Sequence, residues 1–142
     1  MGSVALVTDS TAYLPAELVD RHQITVVPLY VRFGEEVFRD NVDMTPDQFY
    51  ARLATTKVMP ATSQPSAGDF LQTYRQLIEA GASTILSIHI SSKLSGTVAS
   101  ATMARDELSG VPIHIVDSLS TSMGLGYQVL QAAREVQAGR TW

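Results

Sequence analysis

Thr84-Ile85-Leu86-Ser87-Ile88-His89-Ile90 is a short apolar run, and the pattern of residues after it decides the fold. The polar turn Ser91-Ser92-Lys93-Leu94-Ser95-Gly96 comes next. A helical pattern over 97–108 then places Val98, Ala101, Thr102, the Arg105 stem and Leu108 on one face. A second apolar run, Ile113-His114-Ile115-Val116, stops at Asp117-Ser118. Strand, helix and strand at this spacing form a crossover unit, the connection that parallel neighbours require.

The same alternation extends outward. Towards the N-terminus, 4–8 reads as a Val/Leu-rich strand ended by Asp9-Ser10-Thr11, and 15–22 as a short helix. Residues 24–33 read as one extended run, with Pro28 demanding an edge position or a bulge. Gly34 marks a hairpin into 37–39. Thr45-Pro46-Asp47-Gln48 is a helix start with a capping box, predicting a helix to about Ala54. Ser66 caps another, with Phe70, Leu71, Tyr74, Leu77 and Ile78 on one face and Gly81 closing it. A last helix over 122–138 turns Leu125, Val129, Ala132 and Val136 inward. The expected fold is therefore α/β, three-layered, with a mostly parallel sheet and helices on both faces. No repeat, linker or low-complexity tract interrupts it, so the 142 residues are read as one domain.

Composition narrows the function. The formal net charge of −4 is mild, and the Lys and Arg residues form no stripe that could track a nucleic-acid backbone. The chain has no cysteine, which excludes disulfides, thiolate catalysis and cysteine-bound zinc. Its start lacks the pattern of a signal peptide, and no segment reaches the roughly 20 apolar residues of a membrane span. The cytoplasm is the expected compartment.

Ligands of open α/β sheets sit beyond the carboxyl ends of the strands. Here those ends are rich in hydroxyls: Asp9-Ser10-Thr11, Ser91 to Thr97, and Asp117-Ser118, with Thr62-Ser63-Gln64-Pro65-Ser66 in a connecting loop. Many Ser and Thr residues at such places simply cap the next helix, and Ser66 is read that way. Ser95-Gly96-Thr97 says more, because Gly96 permits close backbone approach and the following helix start attracts an anion. Nucleotide-loop and hydrolase-elbow motifs are missing, and Gly124-Leu125-Gly126 echoes a dinucleotide fingerprint only in the wrong context. His22, His89 and His114 share no metal-ligand spacing and are read as structural or surface residues. Asp9 and Asp117 are read as holders of backbone amides and hydroxyls rather than as a catalytic pair. A site rich in hydroxyls and poor in histidine suits a polar head group better than acid–base chemistry.

Four elements, in order, resemble the DegV family: Val7-Thr8-Asp9-Ser10, Thr62-Ser63-Gln64-Pro65-Ser66, Leu94-Ser95-Gly96-Thr97 and Val116-Asp117-Ser118. The resemblance runs over essentially the whole chain. It implies a lipid-binding carrier with a long-chain fatty acid buried between two α/β domains, and no catalytic residue or metal. It carries the carboxylate contacts onto Thr62 and Ser95, with Ser10, Ser63, Gly96 and Ser118 as possible neighbours. It also implies a partner, a fatty-acid kinase with a dihydroxyacetone-kinase-like domain, which makes the acyl phosphate. Against that pattern, 1–142 corresponds to the N-terminal domain, and the family's C-terminal domain is expected to be absent from this chain. The competing enzyme reading makes Asp9 or Ser95 the working group of a small phosphotransferase or hydrolase. It needs a metal or a general base, and the sequence offers no constellation for either. A third reading is an interaction domain without a ligand.

Overall fold

A computed structural model describes residues 3–140; Met1, Gly2, Thr141 and Trp142 lie outside the described residues. The chain runs β1 (Ser3–Asp9), a single 3-10 turn (Ser10–Ala12), α1 (Ala16–Arg21), β2 (Ile24–Val27), β3 (Tyr30–Phe33), β4 (Glu36–Arg39) and α2 (Pro46–Thr55). It continues through β5 (Ala61–Ser63), α3 (Ala67–Glu79), β6 (Ala82–His89), α4 (Thr97–Asp106), β7 (Ile113–Asp117) and α5 (Ser122–Gln137).

The main sheet has four parallel strands in the order β2-β1-β6-β7. Side chains on a strand alternate between faces, and β6 shows the consequence. Leu86, Ile88 and Ile90 join a core with Leu6, Leu125 and Val129, beneath α5. Ile85, on the other face, joins Val7, Phe70, Tyr74, Ala101 and Ala104, beneath α3 and α4. The two helical layers expected from the alternation are both present. Among the described residues no helix is long and apolar enough to cross a membrane.

Helix starts follow the capping chemistry of the sequence. Thr45 Oγ1 accepts from the Gln48 amide while Gln48 Oε1 accepts from the Thr45 amide, at 3.2 and 2.9 Å. Ser66 and Asp69 form the same reciprocal pair ahead of α3. Each box satisfies donors that the first helical turn leaves unpaired.

Three expectations are corrected. Residues 24–33 are not one strand: Pro28, which has no N–H, follows β2 at the edge of the parallel sheet, and the chain passes into β3 of a second sheet. That second sheet is antiparallel, ordered β4-β3-β5, with Val31, Phe33 and Met44 forming its own small core. Thr62 does not lie in a loop but in β5, directly opposite Val31. Finally, α4 buries Thr97, Ser100, Ala101 and Ala104, one position round from the expected face. The expectation followed the larger side chains; the packing puts small ones inward, where α4 meets both α3 and the sheet.

Candidate functional site

The second sheet stands beyond the carboxyl ends of the parallel strands and encloses a cavity of about 270 Å³ with them. Thr62, Ser63 and Gln64 line it from β5 and the residue after it, and Leu94 and Ser95 from the β6–α4 turn. Leu29, Val31, Phe49 and Ile90 supply apolar wall, while Thr11, Tyr13, Asp40 and Tyr50 add polar atoms. Thr62 and Ser95, thirty-odd positions apart in sequence, thus face one space.

Local sequence explains each placement. Tyr30 pairs with Ser63 and Val31 with Thr62, so the register of β3 fixes the height of the Thr62 hydroxyl. The Tyr30 hydroxyl donates to Asp69 at 2.9 Å, tying the small sheet to the start of α3. In the β6–α4 turn, the Thr97 amide donates to Ser95 Oγ at 3.3 Å, and the two hydroxyl oxygens lie 2.8 Å apart. Gly96 is close beneath Gln64: a Cβ there would sit 2.9 Å from Gln64 Nε2. The close approach expected at Gly96 is therefore to a side chain of the facing β5 segment.

The cavity collects some of the expected residues and not others. Thr62, Ser63 and Ser95 line it, and Gly96 adjoins it. Ser10 does not: its Oγ is buried and accepts from the Leu29 amide at 3.0 Å, beside a second, smaller hollow of about 170 Å³. Ser118 does not either, since its hydroxyl bridges the amide and carbonyl of Ser120 in the turn before α5. Thr11, Tyr13, Asp40, Tyr50 and Gln64 are lining residues that sequence reasoning missed. Thr11 and Gln64 had a signal, since each lies in a hydroxyl-rich element that the sequence sets apart, 9–11 and 62–66. Tyr13 follows the 3-10 turn after β1, while Asp40 and Tyr50 come from the second sheet and its flanks.

Charge in and below the cavity is acidic. Its lining contains Asp40 and neither Lys nor Arg. Burial pushes the Asp40 carboxyl up, a hydrogen bond from Ser10 opposes this, and the Asp9 charge adds to it. Burial, Asp40 and Tyr50 raise the Tyr13 phenol in turn. Tyr13 is also held at φ +50°, a left-handed conformation unusual for a bulky residue and a feature that clusters at binding sites.

Asp9 lies beneath this floor and is fully buried. It accepts hydrogen bonds from the Thr11 amide and hydroxyl, the Ile90 amide and His89 Nδ1. Asp117 accepts from the amides of Ser92 and Leu119. Both aspartates hold turns, in agreement with the sequence reading. The neighbour of Ser95 is a threonine hydroxyl, not a base that could activate it. Among the described residues, no cluster of three or more His, Asp or Glu could hold a metal ion.

A parallel α/β unit with a cavity of hydroxyls and apolar side chains at its strand ends has the layout in which open α/β sheets place small-molecule sites. The chain belongs to the DegV family, whose description reads "Uncharacterised protein, DegV family" and which matches residues 3–142. A DegV domain-containing protein of Deinococcus radiodurans is 43% identical over 98% of this chain and 49% of its own length. A structure described as "Fatty Acid Binding of a DegV family Protein from Thermus thermophilus" is 41% identical, with a TM-score of 0.90 over 99% of this chain and 49% of that one. Another, "DegV, a fatty acid binding protein from Bacillus subtilis", is 34% identical with a TM-score of 0.93, over 98% and 49%. The chain spans about half the length of the relatives it matches.

Proposed function

We propose that this chain forms the head-group side of a fatty-acid carrier, in which Thr62 and Ser95 hold the carboxylate and no chemistry is done on the ligand by the protein itself. The observation that carries the reading is the shared cavity, which places both hydroxyls against a wall of Leu29, Val31, Phe49, Ile90 and Leu94. Similar structures from Thermus thermophilus and Bacillus subtilis are described as fatty-acid binding, which supports the ligand class.

Burying a methylene yields about 0.8 kcal/mol, so a tail of about sixteen carbons offers roughly 10 kcal/mol gross. The tail supplies the affinity; the hydroxyls need only satisfy the carboxylate. With no Lys or Arg in the lining, one carboxylate oxygen keeps its nucleophilicity. That suits presentation to a separate fatty-acid kinase with a dihydroxyacetone-kinase-like domain, with the acyl phosphate as product. The cytoplasm is where such a partnership with ATP would operate.

Native mass spectrometry of the purified protein tests the ligand: a co-purified acyl chain, or uptake of added palmitate, is expected. Adding the kinase and ATP should then convert bound fatty acid to acyl phosphate. A protein that takes up no fatty acid, or that turns over phosphate substrates unaided, would overturn the carrier reading in favour of the enzyme.

A further inference from the structure

Thr97 lines no part of the cavity, yet it makes both side-chain contacts found for Ser95. Its side chain is fully buried, at 0% exposure, while Ser95 is half-buried at the cavity wall. The only partner of the Thr97 hydroxyl among the described residues is Ser95 Oγ, at 2.8 Å.

Proton accounting sets the direction. If Ser95 donated to Thr97, the Thr97 proton would have no acceptor among the described residues on the buried face of α4, which it shares with Ser100, Ala101 and Ala104, an arrangement native structures avoid. If Thr97 donates, every buried proton is used. Ser95 Oγ then accepts twice, from the Thr97 hydroxyl and from the Thr97 amide. A serine hydroxyl has two lone pairs and one proton. Both lone pairs are occupied, and the proton is what remains for the cavity.

We propose that Thr97 is a positioning residue that fixes Ser95 as a hydrogen-bond donor only, so that the site selects a head group that accepts, such as a carboxylate, over one that donates, such as an ammonium. The inference rests on the fatty-acid reading for its ligand, but not for its hydrogen-bond direction. It assigns a task to a residue whose burial would otherwise suggest packing alone.

Two measurements test it. Without any ligand, NMR should show a slowly exchanging hydroxyl proton correlated through bonds with Thr97 Cβ. A slow hydroxyl proton correlated with Ser95 Cβ instead, or a Thr97 hydroxyl exchanging as fast as surface threonines, overturns the inference. With ligands, Thr97→Val keeps the shape and the backbone amide but removes the hydroxyl, and it should weaken palmitate binding roughly threefold to tenfold. Hexadecylamine, of equal chain length and opposite polarity, should bind the variant no more weakly than wild type, because a Ser95 lone pair is freed. Thr97→Ser should restore the wild-type preference. Equal loss for both ligands would mean a packing role and sink the proposal, as would palmitate binding unchanged by Thr97→Val. If wild type binds no palmitate, the fatty-acid reading falls, and the hydroxyl correlation alone decides this one.

Discussion

His89 Nδ1 lies 3.0 Å from the Asp9 carboxylate, with both side chains fully buried between the sheet and α3. Alternation along the strands brings them together: Asp9 shares a face with Val7 on β1, His89 shares a face with Ser87 on β6, and Val7 is registered opposite Ser87. On its far side, His89 Nε2 meets Ser87 Oγ at 2.6 Å, and Ser87 meets the Tyr74 hydroxyl at 2.8 Å. With the proton on Nδ1, Nε2 accepts from Ser87 and Ser87 accepts from Tyr74, so the chain is satisfied throughout. It resembles a hydrolytic triad in order, but nothing in it reaches the cavity except through Thr11 and Ile90, which Asp9 holds.

Breaking this chain should be costly. Asp9→Ala leaves the Thr11 and Ile90 amides and the His89 ring without their acceptor, at roughly 3 kcal/mol. Urea denaturation should show that loss as a lower midpoint at an unchanged slope. The pH dependence has a definite sign. Burial raises the Asp9 pKa, but the hydrogen bonds from His89, Thr11 and Ile90 together outweigh it and hold the carboxyl below its ordinary value. A lowered carboxyl pKa stabilises the fold above the unfolded value of about 4, and the contribution fades as pH falls through the folded one. Wild type should therefore lose stability below about pH 4 more steeply than Asp9→Ala.

Tyr74 marks the alkaline limit. Burial pushes its phenol up to about 12, against the opposing effects of the Ser87 hydrogen bond and the Arg105 charge. A raised tyrosine pKa favours the protonated folded state. Its contribution is complete below the unfolded value of about 10 and is lost as pH rises through the folded one. Absorbance titration should find one phenol that ionises only with unfolding, and Tyr74→Phe should remove that late step.

Residues 84–117 were legible because a crossover unit declares itself in short-range pattern: an apolar strand, a hydroxyl turn, a helix and another strand. Of the antiparallel sheet, the β3–β4 hairpin was legible at Gly34, but β5 was not. Residues 61–63 are exposed and carry no alternation, so nothing local distinguishes β5 from a loop; pairing with β3 makes it a strand. Asp40 and Tyr50 escaped for the same reason, since that sheet and its flanks carry them to the cavity. The role of His89 was half legible. Its apolar strand suggested a structural residue, but not Asp9 as its partner, eighty positions away.

Gly126 carries a steric constraint that the dinucleotide-like spelling of 124–126 concealed. A Cβ there would lie 2.8 Å from the carbonyl oxygen of Ala12, backbone that cannot swing aside. Gly126→Ala should push α5 off the 3-10 turn after β1, at about 1–3 kcal/mol, despite alanine's better helix propensity. Gly68→Ala is the control: its new Cβ meets only Ser66 Oγ at 3.6 Å, ordinary contact. Thermal melts should show a fall for the first and little change or a gain for the second.

The head-group assignment is separable from stability because Thr62 and Ser95 differ in what else they do. Ser95 Oγ accepts from the Thr97 amide at the start of α4 and from the buried Thr97 hydroxyl, so Ser95→Ala should lower stability by about 1–3 kcal/mol, as loss of the acceptor of a buried donor does. Thr62 is exposed on β5, and its hydroxyl bonds to no other described residue, so Thr62→Ala should melt like wild type. Affinity should behave otherwise. If each hydroxyl donates to a buried carboxylate, losing one costs about 1.5–3 kcal/mol. Both variants should then bind palmitate roughly tenfold to a hundredfold more weakly. Phosphorylation by the kinase should suffer at least as much, because an unanchored carboxylate samples unproductive positions. Melting temperature and palmitate affinity, measured on the same samples, distinguish the outcomes. Thr62→Ala is the cleaner probe: a variant that melts and binds like wild type would remove Thr62 from the site, whatever Ser95→Ala shows.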